Sequence, residues 1–594
     1  MIPKKVQAVM NNYSLQNQSG EGKSNLWDSI RKFAPLLAPE KKQIILATVA
    51  AFVSSGLNLV APVLIGRAVD RYIVKGSYHG VLVYSAVILA VYIGSLIANY
   101  FQTLLMGRVG QNVLFSLRNS IFEKLQSLPI AFFNQNKAGD LISRINNDTD
   151  KLNQFFSQSL VQFVANIVTI LGASIFVLTL NWSLGIIAVG PALILLLITQ
   201  FISPWIKKRN ALNLKNVGGM SGEISESIDN FKVVAAFNRK DYFKARFSEV
   251  NETNYNSAID AAIANNILTP FYGLASNAAQ LSVIAVGLGM IVEGHMTLGL
   301  LISFISYVSR IYDPLRQIAQ LWSSFQTAFA SWDRIHSILE LDTDLLVVPG
   351  GDASGSAVLE FKDVYFSYPN GKEVLHHINL TLEQGKTYAL VGPTGGGKTT
   401  TASLMARLYD PTKGTVYLNG KDIRSYNTDA RARKIGFILQ EPFLFTGSVK
   451  ENIIYGNPEY KNHTNKQLED VLKYNGLSTL LARFEEGLET KLTATGSKLS
   501  LGQKQLIAFI RAVLRRPEIL ILDEATANID TVTEKLLQDI LEKLPKKTTL
   551  VVIAHRLNTI ENADEIFFIN NGEVTPAGSF KQAVDMLLNG KRES

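Results

Sequence analysis

The sequence predicts a chain in two parts: a membrane bundle of six α-helices, then an α/β domain built around a glycine-rich phosphate loop. Three observations carry this. Charged residues make up only 18% of the 594 positions against 47% hydrophobic, and the apolar excess lies before Ser331. Six apolar runs in that half approach the ~20 residues needed to cross a bilayer core. Residues 392–399 fit the G-x-x-x-x-G-K-[ST] pattern, between an apolar strand and a helix-forming stretch.

Residues 1–25 are polar and read as a loose tail; no apolar core follows their lysines, so they are not a signal peptide. Residues 26–37 form a short amphipathic piece, which fits a helix lying on the membrane surface or an ordinary first helix. The six spans are read at 44–65, 81–106, 160–180, 184–206, 271–292 and 298–315; Arg310, Asp313 and Arg316 make the last the least clear. The runs 160–180 and 184–206 contain no Asp, Glu, Lys or Arg, which argues against a soluble helical core.

Connections alternate in length. Residues 67–80, 181–183 and 293–297 are short, whereas 107–159 and 207–270 are long and carry Arg108, Arg118, Glu123, Lys124, Lys207, Lys208 and Arg209. Basic loops mark the cytoplasmic side. Both long connections, both termini and the α/β half are therefore expected in the cytoplasm, with helices running beyond the membrane. The expected membrane domain is 26–340, joined by a Gly/Pro-containing linker, 341–357, to a nucleotide-binding domain, 358–594. A formal net charge of +8 fits basic loops at an inner leaflet. No basic run with interleaved aromatics points to nucleic acid. The chain has no cysteine, which excludes disulfides and thiolate metal sites.

In the second half, Gly392, Thr394, Gly395, Gly396 and Gly397 let successive backbone N–H groups converge on an anion, and the following helix adds its positive end. Lys398 is placed for the β- and γ-phosphates of a nucleoside triphosphate, Thr399 for Mg2+, and Thr400 begins the helix. Residues 518–524 are an apolar strand ending in Asp523 and Glu524; the first can hold Mg2+ through water and the second can polarise the attacking water. The strand 550–555 ends in His555, suited to the γ-phosphate or to orienting Glu524, and the strand 434–440 ends in Gln440, suited to Mg2+ or the water. Ligands gather beyond the C-terminal ends of parallel strands, so these ends can share one site. Tyr368 ends an alternating strand; an adenine-stacking ring and a core tyrosine fit equally. Ser500 can cap a helix running to Leu514, with Gly502 in its first turn, and a cap alone or an anion site fits equally.

Together, 392–399, Gln440, Leu499 to Gln503, Asp523–Glu524, Thr526 to Asp530 and His555 resemble the ATP-binding-cassette (ABC) transporters. Residues 131–144 and 231–237 resemble the two cytoplasmic loops of exporter half-transporters, so the likeness runs from about Leu26 to Leu588. The resemblance implies ATP with Mg2+ held by Thr399, Gln440 and Asp523, Glu524 as base, His555 as switch and Tyr368 on adenine. It implies two half-transporters whose cassettes close head to tail, with Ser500, Gly502, Gln503 and Asp530 completing the nucleotide sites. It also implies coupling helices docking near Gln440, around Phe443 to Thr446. Leu501 stands where Gly is usual, Thr493–Ala494 where Gly-Glu is common, and Ala527 where Ser is usual. Lys398, Asp523, Glu524 and His555 remain, so a hydrolytically competent site is expected.

The expected function is export of hydrophobic or amphipathic substrates, drugs or lipids, by alternating access of a dimer in the cell membrane. A symmetric homodimer is expected because closed homo-oligomers are the commoner kind; a heterodimer, a lipid flippase or a peptide exporter shares every motif. Ser54, Asn58, Asn99, Asn166, Asn277 and Gln280 are uncharged candidates to line the path, although such residues more commonly tie helices together.

Overall fold

Helices dominate the first half because each membrane-buried backbone must satisfy its own hydrogen bonds. The computed structural model describes residues 13–15, 35–341, 347–348, 357–369, 371–492, 499–523, 531–542, 544–553, 561, 563–578 and 580–589. The chain divides into two compact units. One comprises Ser19–Lys124 and Gly139–Leu339; the other comprises Met1–Gln18, Leu125–Ala138 and Glu340–Ser594.

The helices through Leu339 are α1 (Pro35–Ile73), α2 (Tyr78–Ser127), α3 (Ile130–Gln135), α4 (Ala138–Leu180), α5 (Trp182–Asp229), α6 (Phe231–Ala236), α7 (Lys240–Val292) and α8 (Leu298–Leu339). Among the described residues, five of them, α1, α2, α4, α5 and α7, are long and apolar enough to cross a membrane. Helix α8, the expected sixth span, is continuous but less apolar, because Arg310, Asp313 and Arg316 interrupt it. At ~1.5 Å per residue a 50-residue helix such as α2 is ~75 Å long, more than twice the ~30 Å hydrocarbon core. The extension of the helices past the bilayer, expected from the long polar connections, is therefore a matter of length. Side chains such as Leu96, Phe201 and Leu281 are exposed on the spans, as apolar solvent permits.

Within this unit polar side chains tie helix to helix. Ser54 and Asn58 of α1 meet Ser95 of α2, with Asn58 Nδ2 donating to Ser95 Oγ at 2.7 Å. Gln280 Nε2 of α7 donates to Ser309 Oγ of α8 at 3.1 Å. These candidate lining residues therefore act as interhelical ties. At the end of α1, Asp70 accepts from Thr297 Oγ1 at 2.6 Å and from Gly299 N at 2.8 Å, capping the start of α8. A Cβ on Gly299 would lie 2.0 Å from the Gly66 carbonyl oxygen, so the α1–α8 approach demands glycine there. In the polar part of α4, buried Asp148 accepts from Arg334 Nε of α8 at 2.7 Å and from Ser331 Oγ at 3.2 Å.

The other unit contains two main sheets. The strands are β1 (Leu359–Ser367), β2 (Glu373–Leu382), β3 (Thr387–Val391), β4 (Lys413–Leu418), β5 (Lys421–Asp422), β6 (Ile435–Ile438), β7 (Gly447–Ser448), β8 (Lys491–Leu492), β9 (Ile519–Asp523), β10 (Thr549–Ile553), β11 (Glu565–Asn570) and β12 (Glu573–Pro576). An antiparallel sheet has the order β2-β1-β4-β5, and a second sheet has the order β12-β11-β3-β10-β9-β6, with β7 and β8 a separate pair. In the second sheet β11, β3, β10, β9 and β6 run parallel and β12 closes the edge antiparallel. Parallel strands covered on both faces read as unbroken apolar runs, and β9 is buried throughout. One core lies around Leu359, Phe361, Leu390, Leu404 and Ile521; another gathers Leu468, Leu480, Leu506, Ile510 and Leu520.

Candidate functional site

The site forms because β3, β10, β9 and β6 are consecutive neighbours in one parallel sheet. Their C-terminal ends lie side by side, in register Ile438↔Leu522 and Ile553↔Asp523. Convergence of the strand ends, read from sequence as apolar strands each ending in a polar group, is thus set by strand order.

From β3 the chain enters the glycine loop and then helix α9 (Lys398–Met405). Gly392 has φ +147°, and a Cβ there would lie 1.9 Å from the Ile569 carbonyl oxygen. Gly397 caps α9 in the left-handed region, with φ 114°. Gly395 has φ +83°, and a Cβ on Gly396 would lie 2.6 Å from the Ile569 carbonyl oxygen, so the loop touches the main chain of β11 at Gly392 and Gly396. Lys398 is buried, and its Nζ donates to the carbonyls of Gly392 and Pro393, both at 2.9 Å. The ammonium is therefore held inside the loop. Thr401 Oγ1 donates to Gly397 O at 2.9 Å and fixes the first turn.

The side chain of Thr399, on the first turn of α9, donates to Asp523 Oδ1 at 3.4 Å. A hydroxyl and a buried carboxylate from different elements meet over the sheet's end. This oxygen pair fits a hard divalent cation such as Mg2+, which takes one or two protein oxygens and phosphate oxygens. Gln440 is exposed two residues beyond β6, the strand next to β9. Glu524, Asp530 and His555 lie outside the described residues, as do Thr493–Ala494 and Ala527.

Tyr368 packs against its neighbours in the cassette. The ring is half-buried, edge-on to Phe366 and Tyr409 at 4.9 and 5.3 Å, and its hydroxyl meets Thr400 Oγ1 at 3.0 Å. Ser500 caps helix α10 (Leu501–Val513): Gln503 N donates to Ser500 Oγ at 3.2 Å and Ser500 N to Gln503 Oε1 at 2.9 Å, a capping box. Gly502 is buried within its first turn.

Sequence reasoning missed two features here. Arg511, near the end of α10, donates from Nε to Asn452 O at 2.8 Å and from Nη1 to Phe443 O at 3.3 Å. Its guanidinium lies 5.8 Å from the Phe445 ring and 5.5 Å from that of Tyr455, and burial lowers its pKa from the ordinary arginine value. Phe443 and Tyr455 are nonetheless 64% exposed. One helix thus joins the Ser500 cap to the base of an exposed aromatic patch. The second feature is Asn134 of α3, whose Nδ2 donates to Tyr409 Oη at 2.6 Å. Burial raises the Tyr409 pKa, against the lowering effect of Asn134. The coupling helices were expected to dock around Phe443 to Thr446, where Phe443 and Phe445 are exposed; Asn134 reaches Tyr409. The signal was an Asn inside the 131–144 motif, but neither partner carries a periodic pattern.

The family comparisons agree with this geometry. Residues 44–315 match the ABC transporter transmembrane region and 375–527 match the ABC transporter domain. An uncharacterised ABC transporter ATP-binding protein of Bacillus subtilis is 32% identical over 94% of this chain and 92% of its own length. A multidrug resistance ABC transporter ATP-binding and permease protein of Lactococcus lactis is 29% identical over 95% of both chains. An ATP-dependent lipid A-core flippase of Syntrophus aciditrophicus is 29% identical over 93% of this chain and 92% of its own. The chain belongs to the ABC transporter family. It is a multi-pass membrane protein of the exporter type that hydrolyses ATP to drive transport.

Proposed function

We propose that two copies of this chain form a homodimer in the cell membrane, with cytoplasmic termini, that exports hydrophobic or amphipathic molecules such as lipids or drugs. The observation that carries the nucleotide chemistry is Thr399 Oγ1 at 3.4 Å from Asp523 Oδ1, at the mouth of the loop that holds Lys398. Thr399 and Asp523, with Gln440 beside them, would hold Mg2+, which neutralises charge on the β- and γ-phosphates when bound. Lys398 turns from the loop carbonyls to the phosphates. Glu524 accepts the proton of the attacking water, and His555 orients the γ-phosphate side of the site. Tyr368 offers its ring to adenine. Ser500, Gly502 and Gln503 of one chain, with Asp530, close over the triphosphate held by the other.

Closure needs a path from cassette to membrane. Phe231 and Phe237, at and next to α6, are 56% and 75% exposed, and Phe443 and Tyr455 are each 64% exposed. Each is an apolar surface of the sort that covers itself with a partner. We place α6 of one copy on the partner copy's aromatic patch, which Arg511 ties to the helix capped by Ser500. The differential affinity of ATP for the closed dimer then biases the membrane helices between inward- and outward-facing forms. Support for amphipathic cargo is the absence of ionisable residues from 160–180 and 184–206, and relatives named for multidrug resistance and lipid A-core flipping. We set the functional boundaries at 26–340 for the membrane domain, 341–357 for the linker and 358–594 for the cassette.

The test is the lone chain in lipid nanodiscs. It should hydrolyse ATP with a dimer's stoichiometry and be stimulated by lipids or drugs, and Glu524→Gln should bind ATP and not turn it over. Hydrolysis that appears only on adding a second, different half-transporter would replace the homodimer by a heterodimer. Wild-type turnover in Glu524→Gln would remove the base assignment.

A further inference from the structure

Tyr13, Ser14 and Leu15 lie in the tail read from sequence as loose, yet Tyr13 is 2% and Leu15 1% exposed. They group with Leu125–Ala138 and the cassette in one compact unit. Their main chain is read by two side-chain amides at the end of α3, those of its last residue Gln135 and its cap Asn136. Gln135 Oε1 accepts from Tyr13 N at 3.2 Å. Asn136 Oδ1 accepts from Leu15 N at 3.1 Å, and Asn136 Nδ2 donates to Tyr13 O at 2.8 Å. One amide thus engages the carbonyl of Tyr13 and the N–H of Leu15, where the chain passes from irregular backbone at Tyr13 and Ser14 into a helical residue at Leu15. The same Nδ2 donates to Phe132 O at 2.8 Å, which fixes the amide's orientation. The Tyr13 ring stands edge-on to Phe132 at 6.4 Å, and Phe132 is fully buried. Ser14, between the two anchors, is half-buried.

Main-chain hydrogen bonds together with buried anchor side chains are the chemistry by which proteins bind short peptide segments. We infer that Phe132, Gln135 and Asn136 form a peptide-binding site for a Tyr-x-Leu segment, which the chain's own Tyr13–Leu15 occupies. The ligand reads as backbone plus two anchors, Tyr13 and Leu15. The site adjoins Asn134, whose bond to Tyr409 seats α3 on the cassette. Tyr13–Leu15 is therefore a strap on the segment through which α3 meets the ATPase, and its release loosens that seat.

Occupation in cis has a thermodynamic consequence. A tethered segment competes at an effective concentration on the order of millimolar, so a free peptide added at micromolar concentration is excluded. The probe is a fluorescein-labelled synthetic peptide of residues 7–20, followed by anisotropy, with the protein in nanodiscs. The chain lacks cysteine, so dye-reactive thiols do not interfere. The peptide should bind a chain lacking residues 1–15 at least tenfold more tightly than it binds the full chain. Full-length Leu15→Asp, which leaves the receiving loop intact, should bind it as the truncated chain does. Peptides carrying Tyr13→Ala or Leu15→Ala should lose binding at least tenfold, and Asn136→Ala in the truncated chain should abolish it. Basal ATPase of each protein reports that it is folded. If the truncated chain hydrolyses ATP and takes up no peptide, or if wild-type and alanine peptides bind alike, the inference is overturned. Drug- or lipid-stimulated ATPase that falls on truncation and returns with the wild-type peptide alone would show that the strap serves coupling. Stimulation unchanged by truncation would remove that role.

Discussion

Asp148 and Arg334 should respond unequally to mutation, although they form one ion pair. The Asp148 carboxylate is 3% exposed and the Arg334 side chain 40%. Removing Arg334 leaves a buried anion with Ser331 Oγ at 3.2 Å and Lys151 Nζ at 3.4 Å. Breaking a buried pair in this way costs ~3–5 kcal/mol; the residual Ser331 and Lys151 contacts place Arg334→Ala near the lower end, about 3 kcal/mol. Removing Asp148 instead frees a guanidinium that already reaches water, at about 1 kcal/mol, the scale of one net hydrogen bond. The double variant removes the stranded charge, so it should be more stable than Arg334→Ala alone by about 1 kcal/mol or more. The assay is a double-mutant cycle by denaturant or thermal unfolding in nanodiscs, with Asp148→Asn as a near-isosteric control. Arg144, itself buried and donating to the Arg334 carbonyl at 2.8 Å, keeps the backbone in place in every variant. Equal losses for the two single variants, with simple additivity in the double, would refute the claim that a desolvated anion governs this contact.

Further outcomes follow from the same contacts. Gly392→Ala should abolish nucleotide binding, because its Cβ would sit 1.9 Å from a backbone oxygen at φ +147°; equilibrium binding of a fluorescent ATP analogue checks this. Asp523→Ala should lower Mg2+-dependent ATPase by at least ~100-fold, a loss of the size seen on removing one electrostatic stabiliser, while leaving Mg2+-free nucleotide binding within a few-fold, measured by filter binding. Tyr409→Phe keeps the ring against Phe366 and Tyr368 and deletes only the acceptor of Asn134, so it should cost about 1 kcal/mol, roughly fivefold in substrate-stimulated ATPase coupling. Burial raises the Glu518 pKa, but hydrogen bonds from Lys434 and Asn419 outweigh it and leave the pKa below the ordinary glutamate value. Its contribution to stability is therefore present above that ordinary value and is lost as pH falls through the depressed one. Glu518→Gln should therefore lower stability at neutral pH and flatten the acid limb of a stability–pH profile, the two proteins converging below the depressed value.

Legibility in the sequence followed the range of the interaction. The phosphate loop was readable because its constraints are local: left-handed glycines, a strand before and a helix after. The Ser500 cap was readable for the same reason, since its partner Gln503 is three residues away. Tyr368 was ambiguous because its neighbours Thr400 and Tyr409 are 32 and 41 residues off, and nothing in an alternating strand names them. The membrane candidates divided similarly: Ser54, Asn58 and Gln280 were visible as polar residues in apolar runs, but not which helix each would meet.

Composition, hydropathy runs and the order of short motifs determined by themselves that this is a membrane exporter half joined to an ATPase. Each of those signals reports backbone geometry or solvent over a few consecutive residues. Tertiary structure alone decided that Asp523 meets Thr399, that Arg334 closes over Asp148, and that Tyr13 and Leu15 are held by Asn136. Those contacts join residues 120 or more positions apart. Their free energy comes from desolvation and hydrogen-bond geometry that exist only once the strands and helices have packed.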